Sequence, residues 1–200
     1  MDLSFAHAWT ASVVFASTDI DDLVLLTAFF GDARLRRGAI VAGQFLGIGV
    51  LTAASAAAAL AALAVPPHWP SLLGTVPLVL GLSKLWTLVR DRGTVTEQPD
   101  GVERAGSSRS QVLAVAAVTV ANGGDNLGVY IPLFASNPGG VPLFVIVFAI
   151  MTALWCAAGY ALVKHPAGAA LMQRFGHVIL PVVLIALGAW ILRDARFLLD

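Results

Sequence analysis

Charge is what this sequence has least of. Only 12% of its 200 residues are Asp, Glu, Lys or Arg, against about a quarter in an ordinary soluble domain. With 58% hydrophobic residues and a mean hydropathy of +0.83, a water-soluble fold of this size cannot hide its apolar surface, so lipid must be the solvent. The formal net charge is zero, which removes the electrostatic case for a nucleic-acid partner. Cysteine is nearly absent: Cys156 stands alone, excluding an intramolecular disulfide and a CxxC metal knuckle. Met1–Ala16 contains no Lys or Arg, so it lacks the n-region of a signal peptide, and the first apolar stretch is expected to stay in the protein. No GxxxxGK[ST] pattern is present, so ATP coupling would need a partner. At 20.8 kDa there is room for one compact membrane domain and no separate soluble one.

What is there is a series of long apolar runs. A bilayer core takes about 20 apolar residues in a helix, and six candidate spans are expected: Ser4–Phe30, Gly38–Ala64, Ser71–Val89, Gln111–Phe134, Val141–Val163 and Gly176–Leu192. Turn-forming stretches separate them, including Val65–Pro70 and Ser136–Gly140. The extended hydrophilic segment Arg90–Ser110 reads as a solvated linker. Nine Lys or Arg residues fall in the first, third and fifth loops and none in the second or fourth. The positive-inside rule then places the odd loops, with linker 91–110, in the cytoplasm and both termini outside. Arg193 and Arg196 are the only objection. Trp9, Trp69, Trp86, Trp155 and Trp190 mostly fall near span ends, as interfacial tryptophans do.

The two halves echo each other at one offset of about 104 residues. Asp21-Asp22-Leu23 aligns with Asp125-Asn126-Leu127, Phe30 with Phe134, Pro77 with Pro181 and Trp86 with Trp190, without gaps. Three spans per half means that the second copy enters the membrane in the opposite direction. The expected fold is therefore an all-α integral membrane protein of six transmembrane helices, built as two inverted-topology three-helix repeats. The repeats are residues 1–90 and 111–200, joined by 91–110.

The chemistry lies in two polar segments near the centres of spans one and four: Ala16-Ser17-Thr18-Asp19-Ile20-Asp21-Asp22 and Ala121-Asn122-Gly123-Gly124-Asp125-Asn126. One carboxylate at the bilayer centre costs about 2.5–3.5 kcal/mol on insertion scales. Three within four residues must face protein, water or a cation, or carry protons. Asp19 and Asp22 share a helix face, with Asp21 pointing elsewhere. Gly123-Gly124 argues against a regular helix, and an unwound turn there would expose carbonyl oxygens to a cavity. Together Asp21, Asp22, Asn122, Asp125 and Asn126 would make an anionic, all-oxygen site suited to a divalent cation of the Ca²⁺ or Mn²⁺ type. The same carboxylates would take up protons when the metal leaves. Competing readings are a helix cap at Asp19-x-x-Asp22, a tight turn at Asn122-Gly123-Gly124 splitting span four, and a polar network that only holds helices together. Gly43-x-x-x-Gly47 reads as a close-packing motif. Gln44 reads as packing before pathway, Lys84 as snorkelling, Cys156 as buried filler, and His7, His68, His165 and His177 as non-ligands near interfaces.

With those residues in view, the chain resembles the cadmium resistance transporter family, a branch of the lysine exporter superfamily of small membrane exporters. The likeness rests on Ala16-Ser17-Thr18-Asp19-Ile20-Asp21-Asp22-Leu23 and on Thr119-Val120-Ala121-Asn122-Gly123-Gly124-Asp125-Asn126-Leu127-Gly128-Val129-Tyr130-Ile131-Pro132. It implies export of Cd²⁺ or a related divalent metal across the plasma (inner) membrane, with Asp21, Asp22, Asn122, Asp125 and Asn126 as site positions. The family usually has Asn where this chain has Asp19, so Asp19 adds a negative charge that bears on metal choice or proton stoichiometry. Ligand chemistry pulls the other way from the family label. Cd²⁺ is soft and favours thiolate, whereas both clusters offer only oxygen.

The expected function is thus secondary active export of a divalent cation (Cd²⁺, Mn²⁺, Zn²⁺ or Ca²⁺), coupled to protons, with no enzymatic activity and no resident cofactor. The metal set is Asp19, Asp21, Asp22, Asn122, Asp125 and Asn126. The partners are lipid, the cation and protons, and the sequence leaves a homo-oligomer open. The alternatives are export of an organic solute such as an amino acid, and an enzymatic or structural membrane subunit. A zwitterion would want a cation near the clusters, and neither has one.

Overall fold

A computed structural model describes residues 3–62, 75–90 and 107–164, with the helical positions 182, 185, 186, 188, 189 and 192. The turn Val65–Pro70, most of linker 91–110, nearly all of the sixth expected span, the residues Trp69, Trp190, His68, His165 and His177, and the Lys84 side chain lie outside the described residues. Among those described there is no strand. The elements are α1 (Leu3–Thr18), α2 (Ile20–Gly31), α3 (Arg37–Ala62), α4 (Thr75–Arg90), α5 (Ser108–Asn122), α6 (Gly124–Ser136) and α7 (Val141–Val163), with one 3₁₀ turn at Pro138–Gly140.

By length and apolar character, two of these helices suffice to cross a membrane: α3, and α7 with its preceding turn as Pro138–Val163. A third is obtained if α5 and α6, bent by 69° at Gly123, count as one span. Both long helices leave most of their apolar surface outward, including Leu46, Val50, Ile146, Ile150 and Leu154, as lipid-facing helices do. The expectation of six spans is therefore met in part: an all-helical membrane protein stands, with two or three crossings among the described residues.

Local chemistry sets several of the boundaries. α5 opens on a capping box in which Ser107 and Ser110 each satisfy the other's backbone N–H. The α2–α3 connection is held by Arg34, whose Nη2 lies 2.8 Å from Asp32 Oδ2, and this hydrogen-bonded guanidinium keeps the Asp32 carboxyl below its ordinary range. Gln111 ties the same loop to α5: its Nε2 donates to the Arg34 carbonyl (3.1 Å), and its Oε1 accepts from the Arg36 N–H (3.0 Å).

The packing of α3 on α5 depends on the glycine pair expected to allow it. A Cβ at Gly43 would stand 2.6 Å from Val115 Cβ and 2.8 Å from the Val112 carbonyl oxygen; one at Gly47 would stand 2.6 Å from Thr119 Cβ. On the other side of the molecule Gly159 of α7 meets Leu26 of α2 with the same closeness (2.8 Å).

Three expectations need correcting. Span one is not continuous: it breaks for one residue at Asp19, between α1 and α2. Trp155 is not interfacial, since its indole reaches inward to the Asp19 carbonyl. Trp9 and Trp86, by contrast, are largely exposed. Span four breaks at Gly123, so a split with a sharp turn describes it better than an unwound stretch.

The breaks at Asp19 and Gly123 fall at the offset seen in the sequence, and so do the starts of α3 and α7. Both break residues have closely similar backbones, φ −99° and ψ 17° at Asp19 and φ −79° and ψ 22° at Gly123. Contacts follow the same exchange: α3 packs on α5 and α6, while α7 packs on α1 and α2.

The apolar core lies in two clusters. One gathers Phe15, Leu51, Tyr130, Phe134, Phe144 and Phe148; the other gathers Leu26, Phe29, Ile40, Val115, Val118 and Cys156. Along four helix lines the chain passes from one cluster to the other through a polar residue: Asp19 from α1 to α2, Gln44 in α3, Asn122 from α5 to α6, and Thr152 in α7. A polar layer is thus sandwiched between two apolar ones.

Candidate ion-binding site

Both break residues sit in that layer, and breaking a helix is what brings side chains of the two halves together. Asp19 occupies the N-cap position of α2, yet its side chain makes no cap bond. It is 1% exposed and turns across to α6. Its Oδ1 accepts from Asn126 Nδ2 (3.0 Å), and its Oδ2 from Tyr130 Oη (2.8 Å) and Thr18 Oγ1 (3.1 Å). Its backbone carbonyl accepts from Trp155 Nε1 at 2.7 Å and from the Leu23 N–H at 3.1 Å. The carboxylate is thus deep in protein and fully engaged by neutral donors, the condition under which a buried charge is tolerable.

Asp22, one turn on and 3% exposed, has its own set. Oδ1 accepts from Asn122 Nδ2 (2.9 Å) and Oδ2 from Gln44 Nε2 (2.7 Å), while Gln44 Oε1 accepts from Thr119 Oγ1 (2.8 Å). A relay therefore runs from α5 through α3 to α2. Asp21 and Asp125 are less buried, and their charges reach Asp22. Asp125 Oδ1 accepts from the backbone N–H of Asn126.

Of the six residues singled out in the sequence, Asp22 pairs with Asn122 and Asp19 with Asn126 across the two halves. Asp21 and Asp125 flank these pairs in less buried positions. No group of three or more His, Cys, Asp or Glu among the described residues is arranged to hold a metal ion. The oxygens available beside the carboxylates belong to the amides of Asn122, Asn126 and Gln44 and to the hydroxyls of Thr18, Thr119 and Tyr130. Asn126 Oδ1 is buried with no hydrogen-bond partner, and Asn and Gln carbonyl oxygens are ordinary ligands for hard cations.

Four residues escaped the sequence reading. Gln44, read as packing before pathway, donates to the Asp22 carboxylate. Thr119 and Tyr130 lie inside the longer motif without any chemistry of their own to mark them. Trp155 looked like an interfacial aromatic. Only the rotation of each helix about its axis brings them to the carboxylates.

Tyr130→Phe isolates one of these contacts. Removing the hydroxyl leaves Asp19 Oδ2 with Thr18 alone, at a cost of about 1–3 kcal/mol for a buried group losing its partner. The expected result is a lower melting midpoint in detergent with unchanged helical circular dichroism. A midpoint equal to wild type would mean that the bond carries no stability.

Comparison with known proteins supplies what the geometry lacks. The family model described as cadmium resistance transporter matches residues 15–198. The chain belongs to the cadmium resistance transporter family. The match takes in both break segments and every residue of the polar layer, so membership covers the whole site. No curated protein and no solved structure matches the chain.

Proposed function

We propose that this member of the cadmium resistance transporter family is a secondary active exporter of a divalent metal cation, driven by protons, with the Asp19 and Asp22 carboxylates at its centre. One observation carries the reading: two buried carboxylates lie at a helix break, each held by an amide from the other half of the chain, beside an unpaired buried amide oxygen at Asn126. A purely structural polar network would gain nothing from leaving that oxygen unsatisfied. The carboxylates would exchange a cation for protons as they turn from one set of donors to another. Asn122, Asn126 and Gln44 can each present a carbonyl oxygen after rotation of the amide. The matching offsets of breaks and helix starts support an inverted-topology repeat, in which one half rocks against the other around a fixed site.

The donor set is oxygen throughout, and Cys156 packs in the apolar cluster of Leu26 and Val115. That chemistry suits Mn²⁺ or Ca²⁺ better than Cd²⁺, whereas the family suits Cd²⁺. Inside-out membrane vesicles carrying a proton gradient, offered Cd²⁺, Zn²⁺, Mn²⁺ and Ca²⁺ in turn, decide between them. Gradient-dependent uptake of one metal, absent in Asp125→Asn vesicles at normal expression, is the expected result. No uptake of any metal by well-folded protein would sink the metal reading and bring export of an organic solute to the front.

A further inference from the structure

Away from the polar layer, two cations are gathered on one aromatic ring. Arg37 is the first residue of α3 and Lys164 follows the last residue of α7, so both stand at the same end of the two longest apolar helices. The Arg37 guanidinium lies 4.7 Å, and Lys164 Nζ 4.8 Å, from the centroid of the Tyr160 ring. Phe30 supports that ring from the side, with centroids 5.7 Å apart. The two charges are therefore within about one Debye length (~10 Å at 0.1 M salt) of each other. The only ion pair among the described residues joins Arg34 to Asp32, so neither cation has a carboxylate partner there. Both side chains are exposed. The ring holds the cations in place but does not cancel their charge.

Further along the same two helices lies an open groove. Its volume is about 240 Å³, and its walls include Phe45, Gly49 and Ala53 of α3 with Val145 and Ala149 of α7. The lining is almost wholly apolar. Phe45 begins roughly 12 Å along α3 from Arg37, at 1.5 Å per residue. Ala149 and Tyr160 are about three turns apart and so share a face of α7. A Cβ at Gly49 would meet nothing within 4 Å, so the glycine leaves room there without serving a close contact. Phe45 and Val145 are partly open to the outside, which in this protein is lipid.

We propose that the seam between α3 and α7 is a binding site for one anionic phospholipid, its phosphate between Arg37 and Lys164 and an acyl chain along the α3–α7 groove. Charge complementarity selects the headgroup, because two cations without a carboxylate partner among the described residues favour an anion over a zwitterion at a membrane boundary. The groove selects a molecule with a chain over a free anion.

The test uses the full-length protein purified in neutral detergent, with added dioleoylphosphatidylglycerol, dioleoylphosphatidylcholine or inorganic phosphate. Thermal midpoints and native mass spectrometry are the readouts. Phosphatidylglycerol is expected to raise the midpoint and to remain as a one-to-one adduct, and the other two to do neither. The double variant Arg37→Gln with Lys164→Gln should lose both effects. Gly49→Leu puts a side chain into the groove from a Cβ that meets nothing within 4 Å; it should keep the lipid-free midpoint and weaken phosphatidylglycerol binding by roughly tenfold or more. Equal effects of the two lipids would overturn the charge recognition. Phosphate matching phosphatidylglycerol, or wild-type lipid binding by Gly49→Leu, would overturn the groove. If the double glutamine variant fails to fold, Gly49→Leu and the lipid panel decide the matter.

Discussion

Asp22→Asn is expected to bring gradient-driven metal uptake to background while the protein still folds. The substitution keeps the size and planarity of the side chain, so the neighbouring helices need not move. It removes the charge that a divalent cation would bind, and it replaces one acceptor oxygen by an NH₂ group. Asn122 and Gln44 both donate to Asp22, so one of them then faces another donor. Turning the Gln44 amide would also reverse its bond with Thr119, whereas turning Asn122 disturbs no other side-chain bond described for it. Removing one partner of a buried, hydrogen-bonded charge contact costs about 2–5 kcal/mol, or about 30-fold to several thousandfold in affinity. The measurement is initial uptake rate in vesicles, with expression and the melting midpoint of the purified variant alongside. Uptake within tenfold of wild type would remove Asp22 from the site. A variant that does not fold would instead make Asp22 a structural residue, and Asp125→Asn, which disturbs fewer contacts, would then carry the test of transport.

Gly43→Val should abolish folding, and Gly43→Ala should weaken it by about 1–3 kcal/mol, the usual cost of overpacking. The reason is the rigidity of what stands opposite. The Val112 carbonyl and Val115 Cβ belong to the backbone of α5 or are attached directly to it, so no rotamer change makes space and the two helices must separate. Separation removes the α3–α5 contact that holds Gln44 against Thr119. Gly47→Ala acts on that relay directly, because its new methyl would press on Thr119 itself. It should therefore reduce transport by more than its loss of stability accounts for. Yield in detergent, melting midpoint and uptake per folded molecule separate these effects. Gly43→Val that expresses and melts like wild type would show that the close approach of α3 and α5 is not required. Gly31→Ala is a fitting control, since a Cβ there meets nothing within 4 Å.

How much of this was legible beforehand follows from the nature of each signal. The solvent was, because no arrangement of 58% hydrophobic residues with 12% charge suits water. The α7 boundaries were, because Asn137-Pro138-Gly139-Gly140 and the residues after Lys164 interrupt an otherwise unbroken apolar run. Gly43 and Gly47 announced a close approach, although not what would approach. The carboxylates and amides of the two clusters announced themselves by their cost in lipid. Asp19 read as part of a continuous helix, however, since nothing in Thr18-Asp19-Ile20 is a helix breaker by propensity alone. The break becomes intelligible once the Trp155 indole is seen on the Asp19 carbonyl, a contact from 136 residues away.

The sequence by itself determined a helical membrane protein with two matching polar segments and an anionic, oxygen-rich chemistry, because hydropathy, charge and repeat offset are local or additive quantities. Only the tertiary structure decided which partners those carboxylates have. Gln44, Thr119, Tyr130 and Trp155 are ordinary residues whose roles depend on the rotation and depth of four different helices. That rotation is fixed by contacts such as Gly43 on Val115 and Gly159 on Leu26, between segments far apart in the chain. A helix can be read from its own residues; the face it turns to a neighbour is settled by the neighbour.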